Sequence, residues 1–106
     1  MIRVILFTKN ELVSGFEIKG HATADFDDTH GKIVCAAVSS AAIMAANTVT
    51  EIVGDKSDVS CDEGYLRIIC AEPNKCQNVL LGFKLHINEL AEEYKDKIKV
   101  IMEAEP

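Results

Sequence analysis

Apolar and polar positions alternate through the first twenty residues. Ile2-Arg3-Val4-Ile5-Leu6-Phe7-Thr8 is rich in β-branched and aromatic side chains and reads as a strand. Lys9-Asn10-Glu11 breaks the pattern. Leu12 to Lys19 resumes it as a second strand, which predicts a hairpin. Gly20 then marks either a bulge or a point where another backbone comes close. From Thr23 to Lys32 the chain turns polar and acidic, with too few apolar residues to fold alone. That stretch is expected to be a loop acting as a hinge or lid.

The pattern changes at Cys35. From there to Val53 the chain is alanine-rich, without proline or internal glycine, which predicts a helix that Gly54 stops. Small side chains let neighbours approach closely, so this helix is placed centrally. Lys56 to Asp62 and Tyr65 to Ala71 flank the two-residue hairpin signal Glu63-Gly64. Val59, Cys61, Leu66, Ile68 and Cys70 then share one half-buried face. Pro73 and Asn74 offer a helix start, after which Cys76, Val79, Leu80, Phe83, Ile87, Leu90, Ala91 and Tyr94 recur at helical spacing. Lys97 to Met102 reads as a last strand. The order is ββαββαβ, a single α+β domain over residues 1–106 with two helices packed on a mixed or antiparallel sheet.

Composition narrows the function. A hydrophobic share of 48% supports a compact core in 106 residues, and 26% charged residues supports solubility. The net charge of −6 argues against a general nucleic-acid or anionic-membrane binder, which needs excess Lys and Arg. The apolar run Ile33 to Ala46 is interrupted by Ser39 and Ser40 and is shorter than the roughly 20 residues of a membrane span. Met1 to Lys9 is too short for a signal sequence, and no small-residue cleavage site follows it. Four cysteines in such a chain imply reduced thiols in the cytoplasm, and none forms a CxxC pair.

Candidate chemistry gathers between Gly20 and Ser39. A cysteine attacks as its thiolate, which a model thiol of pKa near ~8.5 supplies only sparsely at neutral pH. With Cys35 expected at a helix start, free backbone N–H groups there would favour the anion and serve as an oxyanion hole. A histidine at a strand end, His21, would take the thiol proton. Ser39, four residues past Cys35 on the same helical face, would orient the thiol or a substrate carbonyl.

Cys61, Cys70 and Cys76 read as packing residues, His30 as an exposed loop histidine, and His86 as a polar-face residue without a role. His21, His30, Cys35 and the loop acids Asp25, Asp27 and Asp28 carry atoms suited to zinc, but their spacing matches no zinc pattern, so no metal or cofactor is assigned.

The strings Gly20-His21-Ala22 and Ile33-Val34-Cys35-Ala36-Ala37-Val38-Ser39 resemble the Prp family of ribosomal-processing cysteine proteases. That family's pattern is Gly-His-Ala, a flexible loop, then Ile-Val-Cys-Ala and a serine four residues past the cysteine. The resemblance implies a small cytoplasmic homodimer that removes the N-terminal extension of a large-subunit ribosomal protein. It implies Cys35 as nucleophile and His21 as general base, with Gly20, Ala22 and Ser39 in support. Where many members carry an aspartate three residues before the cysteine, this chain has Lys32. Two other classes stand beside the protease. One is a non-catalytic module that binds a ribosomal or assembly partner through the same groove. The other is a thiol-dependent redox or metal sensor, disfavoured by the lack of a resolving cysteine nearby in sequence.

Overall fold

The computed structural model describes residues 1–20 and 29–106. Strands β1 (Ile2–Lys9) and β2 (Leu12–Lys19) form the expected hairpin. Asn10 and Glu11 make its turn at φ 52° and 67°, the left-handed geometry that matches the twist of the strands. Helix α1 (Thr29–Asn47) runs on into a π-helical turn, Thr48–Val53, and Gly54 ends it at φ 79°. Strands β3 (Asp58–Asp62) and β4 (Tyr65–Ile69) form the second hairpin around Glu63-Gly64. A 3₁₀ turn, Pro73–Lys75, leads into α2 (Gln77–Glu93), and β5 (Ile98–Ala104) closes the chain.

The five strands make one mixed sheet in the order β3-β4-β2-β1-β5. All neighbouring pairs are antiparallel except β1 and β5, which run parallel from Ile2 opposite Ile98 to Thr8 opposite Ala104. The core joins the sheet residues Val4, Leu6, Phe16, Ile18 and Ile68 to Val34, Val38, Ala42, Ala45 and Val49 of the first helix. Leu80, Phe83 and Ile87 of α2 complete it, with Phe83 stacked on Phe16 at 4.2 Å between ring centroids. Two α-helices on one sheet is the layer arrangement the sequence pattern predicts.

The register of β1 against β2 shifts after Phe7 and leaves Ser14 as an extra residue in β2. The Ser14 carbonyl accepts the N–H of Cys70 at 2.8 Å, and Gln77 clasps Val13 with its side-chain amide at 2.7 Å. Next to the bulge, Gly15 lies so close to β4 that a Cβ would fall 2.0 Å from the Ile68 carbonyl oxygen. Only glycine fits there.

Two expectations need correction. The helix begins at Thr29, not at Cys35. His30 and Gly31 are poor helix formers, yet tertiary contacts carry the helix through them. Gly31 and Val34 are buried, and the His30 ring meets Tyr94 edge-on at 5.4 Å. Residues 29–32, expected in the loop, are therefore the first turn of α1.

The helix is also longer than the apolar run suggests. Thr29 to Val53 makes 25 helical residues, long and apolar enough to cross a membrane by length and composition alone. Its inner stripe is nonetheless packed on the sheet.

Candidate active site

Three of the predicted residues meet in one groove. Gly20 at the end of β2, and Cys35 and Ser39 on α1, line a cleft of about 230 Å³. Its floor is Ile2, Ile18 and Leu66 from the sheet, and its far wall is the tip of the β3–β4 hairpin, where Asp62, Gly64 and Tyr65 stand. Cys35 is half-buried and Ser39 is exposed. The thiol thus has packing on one side and access on the other. A short side chain on a rigid helix holds its reacting atom within a narrow range of positions, which suits a nucleophile.

Gly20 is held by its neighbours. Its φ is 96°, and its N–H donates to the Gly64 carbonyl at 3.2 Å. A Cβ there would lie 2.6 Å from the Met1 carbonyl oxygen. The expectation of a close backbone approach at this position is borne out, with a left-handed backbone besides. Gly20 therefore ties the groove rim to the start of β1 and to the β3–β4 tip.

His21 and Ala22 lie outside the described residues, as do the acids Asp25, Asp27 and Asp28 and most of the expected lid. Lys32 is exposed one helical turn before Cys35. His30 is exposed as expected, but on the first turn of α1 rather than in a loop.

The helix-terminus argument for Cys35 does not hold. Cys35 is six residues past Thr29, where α1 begins. The orphan amides of an α-helix belong to its first four residues, and its end charge fades within the first turn. An amide at the depth of Cys35 belongs to the intrahelical ladder, so the oxyanion donors have to come from elsewhere around the groove.

Cys61 also departs from expectation. It is exposed rather than packed, and it lines the groove with Cys35. All five residues of β3 are exposed, because this edge strand lies beyond the cover of the helices. The hairpin wall itself was missed. Its turn was legible as Glu63-Gly64, but nothing in the sequence says that β4 pairs with β2 and so brings that turn beside Gly20. Cys70 and Cys76 are buried, as read.

The family model for the cysteine protease Prp matches residues 1–99. Among solved structures, Staphylococcus aureus Prp with a covalently linked product peptide is similar at a TM-score of 0.85 and 24% identity, over 97% of this chain and 100% of that one. The same protease with a substrate peptide gives 0.84 and 22%, over 97% and 100%. A Streptococcus mutans protein gives 0.83 and 24%, over 99% and 96%. Among curated proteins none matches closely enough to count as a relative.

Proposed function

Because the chain belongs to the Prp family of cysteine proteases, we propose that it is an endopeptidase that removes the N-terminal extension of a large-subunit ribosomal protein. Cys35 is the nucleophile and His21 the general base. The observation that carries this reading is the groove shared by Gly20, Cys35 and Ser39. An extended peptide laid between α1 and the β3–β4 tip passes directly over the thiol.

In the first step His21 takes the thiol proton as Sγ attacks the scissile carbonyl. The tetrahedral oxyanion collapses to a thioester, and His21 gives its proton to the leaving amine. Water, deprotonated by His21, then attacks the thioester and releases the trimmed N-terminal peptide. Ser39, one helical turn along from Cys35, orients the substrate carbonyl; Gly20 and Ala22, the base's neighbours in sequence, support it. The acids Asp25, Asp27 and Asp28 complement a basic substrate tail. The groove floor of Ile2, Ile18 and Leu66 takes apolar side chains.

The enzyme acts in the cytoplasm as a homodimer, with no metal or cofactor in its chemistry and without nucleic acid or membrane. Supporting the dimer are Ile43, Met44 and Ile52, which leave an apolar outer face on the first helix. Light scattering tests it, and a monomer at micromolar concentration would refute that part.

The decisive experiment is incubation with a precursor ribosomal protein bearing the extension. Cleavage that disappears in Cys35→Ala and in His21→Ala is expected. Binding without cleavage would favour the non-catalytic module, for which Lys32 in place of the family's aspartate speaks.

A further inference from the structure

Away from the groove, three buried side chains from three separate segments converge. Asp55 lies in the loop after Gly54, Cys70 follows β4, and Cys76 precedes α2. Their ligand atoms all lie within 4.8 Å of one another, and each residue is buried, at 8%, 5% and 0% exposure. Neither cysteine lines the groove, and the proteolytic reading uses neither.

We propose that Asp55, Cys70 and Cys76 form a structural site for a thiophilic divalent cation of the zinc type.

Ligand identity comes first. Two sulfurs and one carboxylate oxygen suit a tetrahedral d¹⁰ dication, leaving one position for water or the Ser57 hydroxyl. Bonds of about 2.0–2.3 Å to zinc place ligand atoms roughly 3.5–4 Å apart, so closing from within 4.8 Å needs only small side-chain movements.

The surroundings are already arranged. The Asp55 carboxylate accepts the N–H groups of Ala71 and Glu72 at 2.8 Å each, and the Ser57 hydroxyl also donates to it. Three donors occupy three of about four lone-pair positions, so one remains for a metal. Hydrogen bonds of this kind orient a carboxylate ligand. The loop between the cysteines is fixed as well, with Lys75 N–H donating to Glu72 O and Cys76 N–H to Pro73 O, both at 3.0 Å.

A dication would offset the charge of two thiolates and the Asp55 carboxylate brought together in this buried pocket. Each thiol releases one proton as its metal–sulfur bond forms, so a bound M²⁺ displaces two protons and leaves a net charge of −1 on the three ligands and the ion. The bound ion would tie the end of the first helix to β4 and to the start of α2.

Titration of the full chain with Co²⁺, in a Cys35→Ser/Cys61→Ser background, reads thiolate coordination directly. A sulfur-to-cobalt charge-transfer band that saturates at one equivalent, and that Zn²⁺ abolishes by displacement, is expected. Asp55→Asn should weaken Co²⁺ binding at least tenfold, and Cys70→Ser/Cys76→Ser should remove the band. Proton release into weak buffer on adding zinc to the Cys35→Ser/Cys61→Ser chain covers the case in which the further variants do not fold. One equivalent of zinc should release two protons. No band at several equivalents, a band that survives loss of Cys70 and Cys76, or zinc uptake without loss of two protons would each overturn the site and leave the thiols as core packing.

Discussion

Replacing Gly20 by alanine tests how firmly the groove rim is tied to the start of the chain. The perturbation has two parts. A left-handed φ of 96° costs an L-residue on the order of 1–2 kcal/mol. The new Cβ would also meet the Met1 carbonyl oxygen at 2.6 Å, so the β1 start or the β2 end has to move, which adds roughly 1 kcal/mol or more. Gly54 separates the two parts, since it has φ 79° and nothing within 4 Å of its Cβ position. Gly54→Ala should therefore cost about 1 kcal/mol, and Gly20→Ala about 2–3 kcal/mol. At ~4–8 °C per kcal/mol for a domain of this size, thermal unfolding resolves the difference. Peptide cleavage gives the second readout. Gly20→Ala should lower kcat/KM at least tenfold, because it re-aims the backbone that leads to the proposed general base, whereas Gly54→Ala should leave it unchanged. Equal destabilisation of the two variants, together with unaltered cleavage, would refute the idea that the Met1 contact fixes the rim.

Other expectations follow from the same geometry. Gly15→Ala should be more damaging still, by more than about 3 kcal/mol in urea unfolding, because both atoms in its 2.0 Å contact are fixed by the sheet. Phe83→Ala empties a site stacked on the fully buried Phe16 and should cost roughly 3–5 kcal/mol by the same measurement. Ser39 is exposed, so Ser39→Ala should leave unfolding unchanged while lowering kcat/KM severalfold. Brief alkylation of the native protein near neutral pH should label Cys35 and Cys61 and spare buried Cys70 and Cys76, as peptide mapping would show.

How much of this was legible from the sequence varies by element. Where side-chain pattern and turn chemistry act within a few residues, the reading matches the structure. Leu12–Lys19 has the predicted bounds, Glu63-Gly64 turns the second hairpin, and Gly54 stops the helix. Where a contact from far along the chain decides, the reading stops. The helical course of residues 29–32 depends on Tyr94, more than sixty residues from His30, and on the packing that buries Gly31. The parallel placement of β5 beside β1 leaves no local trace, and neither does the pairing of β4 with β2 that sets the hairpin tip against Gly20. Cys61 was misread for the same reason. Alternation along β3 tells which residues share a face, not whether a helix reaches far enough to cover it.

The parallel β1–β5 pair also decides which end of the protein can be extended without touching the site. Met1 rests against Gly20 and Ile2 lines the groove, so residues appended ahead of Met1 would emerge beside the groove. Because β5 runs alongside β1, the other terminus is carried to the opposite edge, where Glu105 N–H bonds the Thr8 carbonyl at 2.9 Å. At ~3.3 Å per residue, the six steps from Ile2 to Thr8 separate the two ends by roughly 20 Å. An affinity tag or fluorophore attached after Pro106 therefore leaves the groove clear, and one attached at the amino end competes for it.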